Sequence, residues 1–238
     1  MNKYLISLLF IFLSFEVYSQ SPTKESIDTS HKKFSMSKNF TGSFSEYFEN
    51  GEIQAVSQYK NGFKDGYEYQ YYLTGQIKIK LFFVNSVQQD QEIHYYKNGN
   101  RKAIIEFKDG NKEGDMLSWY EGGEVLGIAP FVNNNHDGVS YSWFENGNLK
   151  AKGYFSNGHQ NGPETQYYEN GNKKVFGSFI NGKLDGLELH WYKDGSKKSK
   201  IRYKNGFRTK EVEFWNTNGL SINSIDIDTV SKGIKQKH

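Results

Sequence analysis

The stretch YYENGNKKVFGSFINGKLDG, from Tyr167 to Gly186, decides the fold of this chain. It opens with two aromatic residues, passes through an Asn-Gly pair, and runs on through Val175 and Phe179 to a second Asn-Gly pair. Short runs rich in aromatic and β-branched residues, bounded by Asn-Gly, are typical of β-strands joined by tight turns. We therefore predict that this stretch forms the turn and second strand of one β-hairpin and the turn into the next.

The same pattern recurs along most of the chain with a period of 24 residues. We call the first glycine of each copy the anchor glycine; these glycines stand at positions 51, 75, 99, 123, 147, 171, 195 and 219. Four residues before them stand eight aromatic residues, named here the aromatic row: Tyr47, Tyr71, Tyr95, Trp119, Trp143, Tyr167, Trp191 and Trp215. Eight residues after them stand further aromatic residues: Tyr59, Phe83, Phe107, Phe131, Phe155, Phe179 and Tyr203. A fixed period in this range indicates a repeat architecture.

The composition fits a repeat of hairpins and excludes several function classes. The 238 residues include 24 Gly, 17 Tyr, 18 Phe and 4 Trp, and this aromatic content argues against disorder. The sequence has no cysteine, which excludes disulfides, thiol nucleophiles and thiolate metal sites within it. With 30 basic and 27 acidic residues, the formal charge of +3 is too balanced to indicate nucleic-acid binding.

We predict an all-β fold, an elongated open antiparallel β-meander of about eight 24-residue hairpin repeats. Two strands per repeat give about 16 strands, and a spacing of about 4.8 Å makes the sheet roughly 75 Å long. Its apolar face would far exceed the roughly 300–600 Å² patch that a monomer usually exposes. We therefore expect a single-layer sheet that curls on itself, or self-association through that apolar face.

The first loop of each hairpin decides which side chains share a face. A two-residue Asn-Gly turn would place Trp191 beside a row of lysines. A three-residue loop, such as 169–171, puts its left-handed position at the anchor glycine. We choose the three-residue loop because it gives one coherent apolar face. That face carries the aromatic row, the aromatic residues eight after the anchor glycines, and aliphatic residues such as Ile77 and Ala103.

The same register predicts cross-strand pairs and a longer second loop. It places Glu68 opposite Lys80 and Glu188 opposite Lys200. The recurring glutamates are interpreted as exposed surface rows. The second loop, 181–186 in one repeat, is predicted to be longer and to need both of its glycines for left-handed backbone.

The two ends of the chain differ from the repeats. Residues 1–19 combine a basic start, an apolar run and small or β-branched residues before a cut after Ser19, as in a secretory signal peptide. We predict that this peptide exports the protein to the periplasm or the extracellular space. Residues 20–41 are a polar lead-in, 42–222 the repeat domain, and 223–238 a last strand with a basic tail; none of these segments is long and apolar enough to span a bilayer.

The repeat resembles the MORN repeat variant, in which an aromatic pair and Asn-Gly precede a lysine-rich strand, an aromatic residue and Gly-x-x-x-Gly. The resemblance covers about residues 42–220 and departs from the pattern in the loops at 85–90 and 206–212. It implies an elongated open antiparallel sheet with a role in binding or scaffolding. Bacterial chains of this type are grouped with YwqK-type antitoxins of toxin–antitoxin systems, so the resemblance also implies an antitoxin-like function.

A search for catalytic chemistry finds no motif that selects a site. His94 and His190 share a repeat position but lie four repeats apart, and His136 and His159 are interpreted as solvated loop histidines. Ser35 and Lys38 have a Ser-x-x-Lys spacing, but the companion motifs of such a site are missing. We therefore predict no enzyme activity and no catalytic, cofactor-binding or metal-binding residues.

The candidate binding face combines stacking planes with a ladder of charges. We name it the lysine–tyrosine surface: Tyr72, Tyr96, Tyr120, Tyr168, Tyr192, Lys78, Lys102, Lys150, Lys174 and Lys198. Lysines about 10 Å apart suit an acidic protein or an extended acidic polymer. The leading hypothesis is a secreted scaffold that binds another protein. The alternatives are a cell-wall or glycan-binding module and, more remotely, a protein that binds anionic lipid.

Overall fold

A computed structural model describes residues 39–222 of the protein. The expected signal peptide, residues 20–38 of the lead-in, and the expected last strand and tail at 223–238 lie outside these residues. Within 39–222 there are β-strands and turns and no helix, so no helix there is long and apolar enough to cross a membrane.

The strands follow the repeat from end to end. Their bounds are β1 Gly42–Tyr47, β2 Ile53–Lys60, β3 Phe63–Tyr71, β4 Ile77–Val84, β5 Val87–Tyr95, β6 Arg101–Lys108, β7 Asn111–Lys112, β8 Gly114–Trp119, β9 Val125–Val132, β10 Asn135–His136, β11 Gly138–Trp143, β12 Leu149–Ser156, β13 His159–Gln160, β14 Gly162–Tyr167, β15 Lys173–Ile180, β16 Lys183–Leu184, β17 Gly186–Trp191, β18 Lys197–Lys204, β19 Phe207–Trp215 and β20 Ser221–Ile222. The two-residue strands β7, β10, β13 and β16 each continue, after one residue, into the next strand.

The 20 strands form one open antiparallel sheet in which the pairing follows the order of the sequence. Each of these two-residue strands and the strand that continues it pair with the same preceding strand. The pairing continues in the same order through the later repeats to β20. The sheet does not close into a barrel. The predicted fold class is confirmed: the protein is an all-β meander of hairpin repeats.

The first loop of each hairpin has the predicted three-residue form. In the hairpin of β14 and β15, the Tyr168 amide donates to the Asn172 carbonyl at 2.8 Å, and the Gly171 amide donates to the Tyr168 carbonyl at 2.9 Å. Gly171 has a φ of 88°, so the left-handed position falls on the anchor glycine as expected.

A β-bulge directly after this loop overturns the predicted faces. Tyr167 pairs with Lys173, but the next residue back, Gln166, pairs with Val175, so Lys174 is an extra residue on its strand. An extra residue breaks the alternation of side chains between the two faces. The aromatic row therefore lies on the opposite face from residues such as Val175 and Phe179, and the predicted shared face was wrong for these residues. It was right for Ile77, which pairs with Tyr71 of the aromatic row.

The bulge also corrects the predicted cross-strand pairs. Glu68 lies opposite Leu81, not Lys80, and Glu188 lies opposite Ile201, not Lys200. We call the face that holds Glu68, Val175 and Phe179 the buried face, and the face that holds the aromatic row the outer face. Because the register moved by one residue after the bulge, charges expected to meet across the hairpins lie on different faces.

The second loop is shorter than predicted. Ile180 pairs with Lys183, which leaves a two-residue turn with φ of 48° at Asn181 and 75° at Gly182. Positive φ at both positions is the turn type that Asn-Gly favours in hairpins. The other glycine expected in this loop, Gly186, has a φ of 113° and belongs to the strand that follows.

The core is a set of rows on the buried face, contributed by successive repeats. Ala103 and Ile105 are 0% and 1% exposed, and Phe107 and Phe179 are also buried. Small residues four positions after the anchor glycine, such as Ala103, and aromatic residues eight positions after it lie on this face in successive repeats. Repetition of these rows replaces the interior of an ordinary globular domain.

Candidate binding surfaces

The lysines of the lysine–tyrosine surface are the bulge residues of their hairpins. Each lies over the ring three residues before the anchor glycine of the same hairpin, because the bulge turns it toward that ring. The distances from Nζ to the ring centroid are 6.0 Å for Lys78–Tyr72, 5.4 Å for Lys102–Tyr96, 5.5 Å for Lys150–Phe144, 5.8 Å for Lys174–Tyr168 and 5.5 Å for Lys198–Tyr192. A cation held over an aromatic ring at these distances is attracted by the ring's electrons.

The tyrosines of this surface use their hydroxyls to join consecutive repeats. Each hydroxyl donates to a backbone carbonyl 23 residues further on, in the aromatic row. The bonds are Tyr72 to Tyr95 at 2.7 Å, Tyr96 to Trp119 at 2.9 Å, Tyr120 to Trp143 at 2.9 Å, Tyr168 to Trp191 at 2.9 Å and Tyr192 to Trp215 at 3.0 Å. Burial raises the pKa of Tyr72, Tyr96 and Tyr120, so these phenols stay protonated and act as donors. These five rings therefore have a structural role in addition to the binding role proposed for them.

Asparagine side chains of the first loops add a second set of hydrogen bonds between consecutive repeats. Asn98 and Asn100 both donate to the Glu121 carbonyl, at 3.3 and 2.9 Å. Asn170 and Asn172 donate in the same way to the Lys193 carbonyl, at 2.8 and 3.0 Å. The first loops of the hairpins, which hold the anchor glycines, lie side by side along one border of the sheet, at the ends of the strands. We call this border the first-turn edge. Its loops are fixed to one another, so it presents its side chains at regular intervals.

A row of carboxylates on the buried face was misread from the sequence. Glu68, Glu92, Glu164 and Glu188 all stand seven residues before an anchor glycine and are only 1–6% exposed. The period was visible in the sequence, but the prediction of exposed surface rows was wrong. The bulge after the first loop moved the buried rows onto the face that carries these glutamates.

Each buried carboxylate has hydrogen-bonding partners, as buried charge requires. Glu92 accepts from Gln88 at 2.7 Å and contacts His94 Nε2 at 2.5 Å. Although burial raises the pKa of Glu92, bonds from His94 and Gln88 hold it below its ordinary value. Glu188 lies 3.2 Å from His190 Nε2. His94 and His190 therefore provide polar contacts to two carboxylates of this row.

His136 lies between two rings, and its interpretation as a solvated loop residue was wrong. Its ring centroid is 3.7 Å from that of Phe155 and 5.4 Å from that of Phe131. Its Nε2 contacts the hydroxyl of the buried Ser140. Burial lowers the pKa of His136 to about 4, so the ring is neutral at physiological pH. Among residues 39–222, no group of three or more His, Asp or Glu is placed to hold a metal ion.

The outer face carries a groove at the C-terminal end of the aromatic row. It has a volume of about 240 Å³. It is lined by Leu187, Leu189, His190, Trp191, Lys197, Ser199, Lys200 and Trp215. Lys197 Nζ lies 5.8 Å from the Trp215 ring centroid. Sequence reasoning missed the groove because it assigned the aromatic row to the opposite, packed face.

Comparison with protein families agrees with this geometry. The model described as the MORN repeat variant matches seven segments: residues 40–61, 64–85, 91–109, 112–133, 137–157, 160–181 and 184–205. The chain belongs to the MORN repeat variant family. Proteins built from MORN repeats serve as repeat scaffolds or binding modules and are typically non-catalytic.

Other comparisons add no functional argument for this MORN-repeat chain. No curated protein matches it. A chain in the crystal structure of TcdB2-TccC3-Cdc42 is 10% identical, and the match covers 75% of this chain and 15% of that chain. The TM-score of 0.16 is too low to support an inference from that likeness.

Proposed function

We propose that this MORN-repeat chain is a secreted, non-enzymatic scaffold that binds another protein through the first-turn edge of its sheet. The observation that carries the proposal is the aromatic row on the outer face of this edge, beside partly exposed aliphatic residues. Tyr47 is 58% exposed, Ile53 43% and Val125 44%. Aromatic residues are enriched in protein interfaces, and charged side chains such as the nearby lysines are usual at the interface rim.

The repeat spacing supports an extended contact. Two strands at about 4.8 Å place equivalent side chains roughly 10 Å apart. Hydrogen bonds between consecutive loops hold that spacing, so little ordering cost remains when a partner binds. The lysine–tyrosine surface offers cations at the same spacing, which favours an acidic partner.

Antitoxin-like or immunity-like binding is the specific form that we propose for this function. The partner would then be a toxin, and neutralisation would follow from covering its surface. The expected export signal at residues 1–19 places that encounter in the periplasm or outside the cell. The partner, once identified, should impair growth when expressed alone and be harmless when co-expressed with the full chain.

Capture of the partner tests the scaffold proposal. The full chain, purified and crosslinked in the native envelope fraction, should enrich one stoichiometric protein. The double variant Lys174→Glu and Lys198→Glu should reduce that enrichment, whereas Lys108→Glu, on an exposed lysine at the end of β6 near the other edge, should leave it unchanged. Repeated failure to enrich any protein would overturn the proposal.

Binding assays with the same purified protein distinguish two other ligand classes, glycans and anionic lipids. Co-sedimentation with purified peptidoglycan that is lost in Tyr168→Ala would favour the glycan-binding alternative. Binding to vesicles containing phosphatidylglycerol at low salt, lost at high salt, would favour lipid binding. Under the proposed function, neither polymer nor vesicle retains the protein.

A further inference from the structure

The gaps between neighbours in the aromatic row differ in the residue that occupies them. That residue stands two positions after the anchor glycine, on the strand between two aromatic side chains, and pairs with the earlier one. In four repeats it is aliphatic: Ile53, Ile77, Val125 and Leu149. In three repeats it is a long cation: Arg101, Lys173 and Lys197. The aliphatic side chains place branched apolar groups between the rings, whereas the cations end in a charged group beyond an apolar stem.

The lysines of these gaps lie over the next aromatic ring. Lys173 Nζ is 5.9 Å from the ring centroid of Trp191, and Lys197 Nζ is 5.8 Å from that of Trp215. A lysine held there keeps its stem along the indole and its ammonium at the rim. The space between Trp191 and Trp215 is left as the groove described above.

The groove has the dimensions and lining of a pocket for one apolar side chain. Trp191 and Trp215 lie on β17 and β19 with β18 between them, so their strands are about 10 Å apart. Leu187 and Leu189 line it on β17. Its exposed lining is mainly apolar, which suits an aliphatic or aromatic side chain.

The rim of the groove carries an exposed cation that has no acidic partner in the described part of the chain. Lys197 is exposed and, within residues 39–222, forms no ion pair, while Lys200 pairs with Glu213 at 2.7 Å. Lys193 lies on the adjacent loop beside Asp194, and Lys198 follows Lys197 on β18. A carboxylate that approaches Lys197 therefore meets an unpaired ammonium without first displacing a carboxylate of this chain.

We propose that this groove binds an acidic peptide segment of the protein partner, with one leucine or phenylalanine side chain inserted between Trp191 and Trp215. The flanking aspartate or glutamate side chains pair with Lys197 and Lys193. This inference rests on the proposed scaffold function and assigns its main contact to one place in the repeat array. Buried aromatic residues at the centre of a contact, with charges at its rim, are the arrangement found in binding hot spots.

The test uses a fluorescein-labelled ten-residue peptide of aspartate and glutamate with one central leucine. Fluorescence anisotropy with the full chain should show saturable binding. The variant Lys197→Ile gives this gap the residue that fills the gap at Ile77, so it closes the groove with a side chain the repeat already tolerates. We expect Lys197→Ile and Trp215→Ala each to weaken binding at least tenfold.

A matched control lies at Trp143, which has the same position in its repeat and a neighbouring gap occupied by Leu149. Trp143→Ala should leave peptide affinity unchanged, which shows that the groove and not the aromatic row in general is responsible. Circular dichroism melting of every variant reports whether the sheet is intact. Replacing the central leucine by serine, or the acidic residues by lysine, should abolish binding of the peptide.

Three outcomes would overturn the inference: equal loss in Trp143→Ala and Trp215→Ala, unchanged affinity in Lys197→Ile, or equal binding of the basic peptide. The scaffold proposal is judged separately by partner capture. A partner that is enriched equally by the wild type and by Lys197→Ile leaves the scaffold function standing and removes the groove from it.

Discussion

Glu68 and Glu164 occupy the same position of their repeats and differ in the side chain four residues before. Glu68 accepts hydrogen bonds from Lys64, from Gln70 at 2.9 Å and from Ser57 at 3.0 Å. Burial raises the pKa of Glu68, but these bonds outweigh it and hold the pKa below its ordinary value. A cation beside a buried carboxylate therefore favours the charged form.

Glu164 has amides in place of the cation. Gln160 donates to one of its oxygens, and Gln166 donates to the other at 2.6 Å. Burial raises the pKa of Glu164, the two neutral donors offset this only in part, and the nearby Glu188 raises it further. This carboxyl group therefore keeps its proton to a higher pH in the folded state than in the unfolded chain.

We predict that Glu164→Gln stabilises the protein at neutral pH. A raised pKa in the folded state means that this group contributes stability below its ordinary pKa of 4.5, and that the contribution is lost as pH rises. The neutral glutamine does not incur that loss, so the urea midpoint of the variant should exceed that of the wild type at pH 7–8. The two midpoints should converge near pH 4.

Glu68→Gln is the matched control for this prediction, since its pKa is shifted in the opposite direction. It should destabilise the protein at neutral pH, because the carboxylate that binds Lys64 is lost, and the loss should shrink as pH falls. A Glu164→Gln variant less stable than the wild type at pH 8 would contradict the proposed cause.

At the scale of the element, each hairpin depends on a left-handed residue in its first loop. Gly171 has a φ of 88°, and a Cβ built there would meet nothing within 4 Å. Any cost of a side chain at this position therefore comes from the backbone conformation and not from a clash. A substitution at Gly171 therefore separates these two causes better than one at Gly66, where a Cβ would meet the Gln58 side chain.

We predict that Gly171→Ala lowers the free energy of unfolding by about 1–2 kcal/mol, the usual cost of left-handed backbone for a residue with a Cβ. Gly171→Asn should cost less, because asparagine tolerates this conformation, as Asn134 does with a φ of 67°. Urea denaturation of the two variants against the wild type measures both effects. Equal stability of Gly171→Ala and the wild type would show that the loop relaxes to another conformation.

The period and the turn residues predicted the hairpins, but not which side chains are buried. The Asn-Gly spacing leads directly to the strands, but it leaves the first loop open between two and three residues. The three-residue loop at Gly171 is predicted from a coherent apolar face that the bulge then removes. The bulge at Lys174 leaves no comparable signal, because an extra lysine in a strand resembles the alternation of an exposed face. Its effect is large, since one residue moves Tyr167 to the outer face and Glu164 to the buried face. The equivalent bulge at Lys198 does the same for Trp191 and Glu188. The groove at Trp191 could therefore not be located from the sequence.

At the scale of the whole molecule, consecutive repeats are joined at both edges of the sheet. At one edge, the Gly182 amide donates to the Gln160 carbonyl at 2.8 Å, and the Gly206 amide donates to Leu184 at 2.8 Å. At the first-turn edge, the tyrosine hydroxyls reach the next repeat. The stability of such an array is a sum of repeat and neighbour contributions, so its terminal repeats detach first.

This coupling makes the effect of one hydroxyl depend on its place in the array. Tyr192 donates a hydrogen bond to the Trp215 carbonyl and so joins the last described hairpin to the rest of the sheet, whereas Tyr120 lies in the middle with repeats bonded on both sides.

We predict that Tyr192→Phe, which removes a hydrogen bond worth about 0.5–1.5 kcal/mol, speeds amide exchange in β19 and leaves β5 and β6 unchanged. Tyr120→Phe should lower global stability by a similar amount without faster exchange at either end. The ring itself is tolerated without a hydroxyl, because Phe144 occupies the equivalent position. Hydrogen exchange read by mass spectrometry distinguishes the two variants, and an even rise in exchange along the chain of Tyr192→Phe would show that the sheet opens as one unit instead.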